Sequence, residues 1–434
     1  AAGPLLRALY ARVGDDEGRL LLTVHHLAVD GVSWRVLLAE VAAGLAQAER
    51  GESVRFGAPA TSWSNWARRL ATYAGSARVT EELGWWQTTL AGADASLPIK
   101  KITERRLGDS RTVEWRLDAA QTQRLLREVP RAYRTRLDEV LLAALARVLG
   151  SWLKRDAVLV ELEGHGREDV LPDVELSRTV GWFTTTYPVV LPLQADAAAT
   201  LVAVKERLRA IPVNGLHFGL LSHLAEPSTR TAMALLSRPQ VSFNYLGQFD
   251  QSMTSEGRFG FVSEASGEAM DPDSPLDMAL ELNGLVVGGE LSLSWRYLPD
   301  ELAPAVVEDL AASFGRELEA LIAQCAAAPA GATASDFPLS GLKQTELASL
   351  GLSLGMPLGG VEDIYPATPV QQGLLFHSLL APGSGVYVNQ LRLTLSGELD
   401  AEALRSAWQD VVSRHAVLRT GFAWSASARP PTRY

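Results

Sequence analysis

Apolar and polar positions follow two different periods along this chain, and the changes of period predict interleaved strands and helices. Short apolar or alternating runs predict strands, whereas apolar residues three and four positions apart predict helices. The predicted strands are 20–24, 112–117, 157–163, 187–191, 240–244, 259–262 and 285–297. The predicted helices are 33–48, 63–73, 80–90, 118–129, 137–153 and 299–326. Because the two element types interleave, we expect a layered α/β architecture.

Size and charge narrow the class of protein. The chain has 434 residues, of which 47% are hydrophobic, enough for a large core and two or three lobes. Its net charge of -10 and the lack of a long basic stretch argue against a nucleic-acid partner. The single cysteine, Cys325, excludes an intrachain disulfide and a cysteine-rich metal site. No apolar run reaches about 18 residues, so we expect a cytoplasmic protein without a membrane partner.

Composition changes after the last predicted helix. Residues 329–362 are rich in Ala, Gly, Pro and Ser and predict an interdomain linker, after which residues 363–434 form a new segment. The chain begins without an initiator methionine and ends in a run rich in Pro, Arg and Ser. We therefore expect a piece of a longer polypeptide.

The segment 25–34, of sequence HHLAVDGVSW, follows the predicted strand 20–24. Strand alternation predicts that His25 and His26 point to opposite faces, so that only one of them faces a cleft. Asp30 and Gly31 predict a turn, and Ser33 is placed to cap the next helix. An imidazole at such a strand end suits proton transfer. A structural role for His25, and an ion-pair or turn role for Asp30, remain open alternatives.

Three further segments occur along the chain in the same order as the motifs of a known family. They are EGHGRE at 163–168, TVGWF at 179–183 and VSFNYLGQFD at 241–250. Together with segment 25–34 they resemble the motifs of the epimerization domains of nonribosomal peptide synthetases, within the condensation-domain superfamily. EGHGRE and FNYLGQFD are the discriminating segments, since the other two have close counterparts in condensation domains.

The resemblance covers about residues 1–328 and implies a fold. It implies two chloramphenicol-acetyltransferase-like lobes that form a pseudo-dimer around a central tunnel. The first lobe, whose beginning is missing, would occupy residues 1–105, and the second lobe residues 106–328.

The chemistry of an epimerase agrees with the residues in these motifs. The enzyme must remove a Cα proton next to a thioester, stabilise the enolate oxygen and return a proton to the opposite face. The resemblance implies that His26 and Glu163 lie on the two sides of the substrate, with the hydroxyl of Tyr245 near the reacting centre. A carboxylate at a strand end beside glycines can have a raised pKa. Glu161, on the same strand face, is expected to be an ion-pair residue. The residues expected in supporting or structural roles at the site are His25, Asp30, Gly31, Ser33, Trp34, His165, Arg167 and Asn244.

The end of the chain resembles a second module. Residues 364–379 and 414–422 are similar to the first two motifs of a condensation domain, and no second HHxxxDG follows. His377 and His415 are therefore expected to be structural. The resemblance implies that this downstream condensation module accepts a donor of D configuration.

These observations predict an isomerase that converts L to D configuration at the Cα of an aminoacyl or peptidyl thioester. The substrate would hang on the 4'-phosphopantetheine of an upstream peptidyl carrier domain, and the chain itself would bind no metal and no cofactor. Two alternatives remain open. One is a condensation domain that forms a peptide bond, and the other is a catalytically silent module that only docks carrier domains.

Overall fold

The computed structural model describes residues 3–14, 17–57, 60–248, 259–260, 262, 264, 267, 270–327, 331–424 and 432–433. The chain divides into two compact units. The first consists of Ala1–Pro130 and Thr135–Ala326, and the second of Arg131–Arg134 and Ala327–Tyr434. The boundary predicted between two lobes at 105/106 stays a prediction.

A six-stranded mixed sheet forms the centre of the first unit. Its strands, in chain order, are β3 (Arg111–Leu117), β4 (Ala157–Gly164), β5 (Thr185–Pro192), β6 (Val241–Gln248), β7 (Leu280–Val287) and β8 (Glu290–Tyr297). Their order across the sheet is β3-β8-β7-β6-β4-β5. Strand β6 runs parallel to both β4 and β7, whereas the other pairs are antiparallel. Because parallel neighbours need crossover connections, β4 and β6 meet although they are far apart in sequence.

The two faces of this sheet differ in chemistry because side chains alternate along each strand. One face is apolar and mostly buried, with the fully buried side chains of Val160, Leu282 and Trp295 at its centre. The ring of Trp295 packs against Phe314 with ring centroids 5.9 Å apart. The other face is polar, and its residues on the three central strands are Glu161, Glu163, Ser242, Asn244, Glu281 and Asn283. The candidate site lies on this polar face.

Helices account for most of the remaining first unit. They are α1 (Gly31–Glu49), α2 (Trp63–Tyr73), α3 (Ala77–Thr80), α4 (Leu83–Leu90), α5 (Ala119–Arg127), α6 (Val129–Tyr133), α7 (Leu137–Leu153), α8 (Ala197–Arg209), α9 (Leu216–His223), α10 (Pro227–Ala234) and α11 (Pro304–Ala327). The bounds predicted for α2 and α7 are confirmed. Helix α7 is apolar on nearly all sides, as expected for a buried helix. Among the described residues, no helix combines the length and apolar character needed to cross a membrane.

Two strand predictions need correction. The run 285–297 is not one strand but parts of β7 and β8, which are joined by Gly288 and Gly289 at φ +61° and +79°. Only glycine adopts two such residues in succession easily, and the pair turns the chain back on itself. The strand predicted at 259–262 falls partly on residue 261, outside the described chain, and residues 259, 260 and 262 belong to no strand.

A separate two-stranded antiparallel hairpin precedes α1. It consists of β1 (Leu6–Val13) and β2 (Glu17–Val24), and only the end of β2 was predicted. Strand β1 escapes prediction because its apolar residues do not alternate with polar ones. Its large side chains are exposed, including 61% of Leu9 and 67% of Tyr10.

The second unit has a small core of its own. Its elements are α12 (Gln344–Leu354), β9 (Tyr365–Pro366), α13 (Pro369–Leu380), α14 (Ala401–Arg414), β10 (Phe422–Ala423) and β11 (Thr432–Arg433). The core consists of Phe337, Leu347, Val361 and Ile364. The guanidinium of Arg134 lies 5.2 Å from the centre of the Phe337 ring. The segment predicted as a linker, 329–362, thus contains a helix and part of this core. The predicted start of a second domain at residue 363 stays a prediction.

Candidate active site

The paired histidines lie in a turn and not on a strand, which corrects the prediction based on alternation. Strand β2 ends at Val24, and a short 3-10 turn spans His26–Ala28. The His25 Nδ1 atom caps this turn by accepting a hydrogen bond from the amide of Leu27 at 3.1 Å. The His26 ring instead packs edge-on against Trp182, with ring centroids 5.4 Å apart. The two imidazoles therefore have different surroundings. The backbone of the turn causes this difference, and the alternation of a strand does not.

Helix α1 begins one residue after Asp30, and Asp30 caps it. Its Oδ1 atom accepts a hydrogen bond from the Ser33 amide at 2.7 Å, and its backbone oxygen accepts one from Trp34 at 3.2 Å. The prediction that Ser33 caps the helix is therefore wrong. The Ser33 hydroxyl is fully buried and donates to the Gly181 oxygen at 2.9 Å. Gly31 occupies the first helical position.

A buried ion pair joins the segments that the sequence singled out. The Asp30 side chain is 4% exposed and the Arg167 side chain 7%, and Arg167 Nη1 donates to Asp30 Oδ2 at 2.7 Å. Arg167 Nη2 donates to the Ser33 hydroxyl and to the Thr179 oxygen, both at 3.0 Å. Its guanidinium stacks on Phe183 at 4.1 Å. This arrangement confirms the ion-pair alternative for Asp30.

The pKa of Asp30 reflects this environment. Burial alone would raise it, but hydrogen bonds from Arg167, Ser33 and Phe183 outweigh burial and hold the pKa below its usual range. Asp30 stays ionised and is a poor proton donor. The ion pair and the lowered pKa therefore fit an ion-pair and helix-capping role for Asp30 better than a proton-transfer role.

The EGHGRE loop is held by its own side chains. His165 Nδ1 accepts a hydrogen bond from the Arg167 amide at 3.0 Å, and its Nε2 lies 3.5 Å from Glu168. Gly166 has φ +65°, and a Cβ atom there would collide with the backbone of Phe183. Only glycine allows this close approach, as expected for the loop.

Glu163 lies near the end of β4, on the polar face of the sheet, beside Asn244 of β6. The Asn244 Nδ2 atom donates to Glu163 Oε2 at 2.8 Å. Glu163 remains accessible, yet desolvation by its neighbours raises its pKa. His26 acts in the opposite direction and Glu281 adds to the rise. Burial also raises the pKa of Glu161, with a further contribution from Glu163. A carboxylate whose pKa is raised in this way is a stronger base than an ordinary glutamate and a candidate for proton transfer.

Tyr245 faces a cavity that Glu163 also lines. Burial and the charge of Asp138 raise the pKa of Tyr245 to about 12, so its hydroxyl stays protonated and can donate a hydrogen bond. The cavity has a volume of about 150 Å³. Its lining residues are Arg136, Asp138, Leu142, Leu162, Glu163, Tyr187, Leu208, Asn214, Phe243 and Tyr245. The structure thus joins Glu163 to Asn244 by a hydrogen bond and gives Glu163 and Tyr245 a shared cavity. Tyr245 directly follows Asn244 in β6 and therefore belongs to the opposite, apolar face of the sheet. The ring contact of His26 is with Trp182.

Two residues near the site were not predicted to take part in it. Trp182 is 45% exposed and contacts the His26 ring. Asp138 lines the Tyr245 cavity, and burial raises its pKa. No sequence signal identifies it, since an acidic residue is common in the first turn of a helix.

The mixed α/β architecture is that of proteins built from two chloramphenicol-acetyltransferase-like lobes. The chain belongs to the condensation-domain family, whose model matches residues 1–334 and 361–430. It is therefore a domain of the condensation superfamily of enzymes.

Relatives of known identity are large synthetases. The chain is 39% identical to one of the linear gramicidin synthase proteins of Brevibacillus parabrevis over 436 residues, covering 99% of this chain and 6% of that protein. It is 35% identical to tyrocidine synthase 1 of the same organism over 358 residues, covering 80% of this chain and 33% of that protein. The chain thus spans a third or less of the length of each of these two relatives.

Solved structures agree with this fold. The epimerization domain from the third module of tyrocidine synthetase B matches with a TM-score of 0.69 and 33% identity, covering 75% of this chain and 73% of that one. The first condensation domain of the CDA synthetase matches with a TM-score of 0.54 and 16% identity, covering 75% and 69%. The second likeness concerns the fold alone.

Proposed function

We propose that this domain inverts the Cα of an aminoacyl or peptidyl thioester from L to D. The substrate would be attached to the phosphopantetheine arm of an upstream carrier domain, and the product would pass to a downstream condensation module. The observation that carries the proposal is Glu163, an accessible carboxylate with a raised pKa that Asn244 holds in place at 2.8 Å. The match to the tyrocidine epimerization domain supports it.

Proton transfer on both faces of the substrate requires two carriers. One carrier removes the Cα proton, and the electron pair of the C–H bond moves into a C–C double bond while the thioester oxygen becomes an enolate. The second carrier then donates a proton to the opposite face, and the carbonyl forms again. We assign these two roles to Glu163 and His26. The neutral hydroxyl of Tyr245 would donate a hydrogen bond to the enolate oxygen.

The step uses proton-transfer groups of the chain and the acidity that the thioester confers on the Cα proton. Neither a metal nor a nucleotide has a role in it. The pantetheine arm belongs to the substrate, so the proposed partner is the carrier domain that brings it.

A deuterium wash-in experiment tests the proposal against the two alternatives. A carrier domain loaded with an L-aminoacyl or L-peptidyl group is incubated with the protein in D₂O, and Cα deuterium and configuration are measured. An epimerase gives exchange and D product without a second substrate. A condensation domain gives a new amide only when an acceptor is added, and a docking module gives neither. Amide formation without exchange would overturn the proposal.

A further inference from the structure

The His26 ring differs from three other histidine rings of the first unit in how it is held. Each of His25, His165 and His217 has a ring nitrogen in a hydrogen bond with a protein group. Neither ring nitrogen of His26 has such a bond to the described residues. The His26 ring instead lies edge-on to the indole of Trp182, with ring centroids 5.4 Å apart and an angle of 65° between the ring planes. This contact leaves both nitrogens of His26 available.

Buried hydrogen bonds fix the backbone on both sides of Trp182. The Gly181 amide donates to the Ser33 hydroxyl oxygen at 3.1 Å, and the same hydroxyl donates to the Gly181 backbone oxygen at 2.9 Å. On the other side, the Phe183 amide donates to Asp30 Oδ2 at 3.1 Å. Because both neighbours of Trp182 are anchored, its indole projects from a fixed piece of backbone.

The same two side chains also fix the segment that carries His26. Asp30 and Ser33 are 4% and 0% exposed and lie at the start of α1. The Ser33 amide donates to Asp30 Oδ1 at 2.7 Å, directly after the turn His26–Ala28. The segments of His26 and Trp182 are therefore tied to each other through Asp30 and Ser33, which determines where the two rings meet.

Proton transfer makes a specific demand on an imidazole. One ring nitrogen takes the proton, and the other nitrogen can then release a proton to water. A hydrogen bond to the protein would occupy one of the two nitrogens, whereas an edge contact with an aromatic ring orients the imidazole and occupies neither. Orientation matters because a misplacement of about 1 Å can slow a reaction strongly. The contact between His26 and Trp182 satisfies both demands.

We propose that Trp182 is a positioning residue, whose indole holds the His26 ring in the orientation that proton transfer at one face of the substrate requires. The inference rests on the proposed function, in which His26 is one of the two proton carriers. Trp182 exchanges no proton itself. When His26 acts as the base, its neutral ring takes the Cα proton at one nitrogen, the electron pair of the C–H bond passes to the enolate, and the imidazolium loses a proton to water from its other nitrogen.

Kinetics of Trp182→Leu test the proposal, because leucine removes the aromatic ring and keeps an apolar side chain. Cα deuterium uptake is measured with L- and D-aminoacyl carrier loaded separately, and His26→Ala identifies the isomer that His26 serves. For that isomer we expect kcat to fall about 2- to 10-fold, as for loss of an aromatic pair, with KM unchanged. Exchange from the other isomer should be unchanged. Trp182→Phe should restore most of the rate, since a phenyl ring can make the same edge contact.

Nuclear magnetic resonance tests the contact without turnover. In protein with histidine isotope-labelled at Cε1, the His26 signal is the one that His26→Gln removes. The ring current of the indole should displace this signal, and Trp182→Leu should move it towards the position of an ordinary exposed histidine. A nuclear Overhauser effect between the His26 and Trp182 rings of the wild-type protein tests the same contact even if the leucine variant fails to fold.

A matched control is Trp408→Leu, which removes a tryptophan that is 60% exposed on α14 of the second unit. It should change neither the exchange rates nor the His26 signal. A tryptophan replaced away from the candidate active site thus separates the specific contact from a general effect of losing an indole.

Three results would overturn the inference. Equal loss of exchange from both isomers in Trp182→Leu would show a general structural role. A raised KM at unchanged kcat would place Trp182 against the substrate and not behind His26. An unchanged His26 signal in that variant would show that the rings do not meet in solution. Failure of the proposed function would be recognised separately, by absence of Cα exchange in the wild-type protein, and the resonance measurements would still decide whether Trp182 orients His26.

Discussion

At the scale of single residues, the candidate chemistry depends on how the surroundings of Glu163 differ from those of Asp30. Both side chains are carboxylates of the motif segments, Asp30 in segment 25–34 and Glu163 in EGHGRE. The pKa of Asp30 is lowered beside Arg167, whereas desolvation raises the pKa of Glu163. The first is therefore fixed as an anion and the second can exchange a proton. The surroundings of each carboxylate therefore separate a structural role for Asp30 from a candidate proton-transfer role for Glu163.

Glu163→Gln keeps the shape of the side chain but removes its titration. If Glu163 and His26 serve opposite faces, the variant should lose L-to-D inversion by on the order of 100-fold or more, while exchange from one of the two isomers persists. The measurement is Cα deuterium uptake with L- and D-aminoacyl carrier loaded separately. His26→Ala should spare exchange from the other isomer, and Glu161→Gln serves as a control on the same strand face. Wild-type exchange from both isomers in Glu163→Gln would refute a proton-transfer role.

The pH dependence of exchange should report the raised pKa of Glu163. Glu163 must be ionised to accept a proton. Exchange on the substrate face that Glu163 serves should therefore rise with pH, through a midpoint above the ordinary glutamate pKa of about 4.3. Asn244 donates to the carboxylate and favours the ionised form. Asn244→Ala should therefore raise the pKa further and move the midpoint to higher pH. A midpoint that stays in place or falls in this variant would show that the hydrogen bond does not tune Glu163.

At the scale of elements, the Asp30–Arg167 pair ties the start of α1 to the loop after β4. Asp30→Asn leaves a buried guanidinium without its counterion, which typically costs about 3–5 kcal/mol. We expect this loss in urea unfolding followed by tryptophan fluorescence, and a partial recovery in the double variant Asp30→Asn, Arg167→Met. Glu52→Gln, at the exposed Arg50–Glu52 pair, should give no measurable change.

The same pair predicts how stability changes with pH. Asp30 has a lowered pKa in the folded state, so its stabilising contribution is complete above the unfolded value of about 3.9 and is lost as pH falls through the folded pKa. The wild-type protein should lose this contribution in that acid range, and Asp30→Asn should not. Parallel stability curves for the two proteins below pH 4 would contradict the assignment.

The elements also show what a sequence can and cannot specify. Helix α7 was predicted with its observed bounds because its apolar pattern is local. The position of His26 was not, since the end of β2 at Val24 depends on its pairing with β1. The contact between Glu163 and Asn244 joins residues 81 positions apart through a parallel pairing whose register no local pattern encodes. The resemblance to the epimerization motifs identified both residues as candidates. The distance between them follows only from the fold.

At the scale of the whole molecule, the two units differ in how much apolar surface they bury. In the first unit, α7 contains fully buried residues such as Leu141 and Leu145. In the second unit, large side chains beyond its small core are exposed, including 71% of Leu380, 72% of Val388 and 82% of Leu391. Apolar burial is the main source of stability, so cooperative protection should be concentrated in the first unit.

Hydrogen exchange followed by mass spectrometry checks this distribution. Amides of α13 and α14 should exchange orders of magnitude faster than those of α7, because little apolar burial opposes local opening there. Helix α12 provides an internal control, since Leu347 is fully buried with Phe337 and Ile364. It should be protected more strongly than α13 although both belong to the same unit. Equal protection of α12, α13 and α14 would mean that the exposed apolar residues are covered in solution, and a concentration-dependent exchange rate would then identify self-association as the cause.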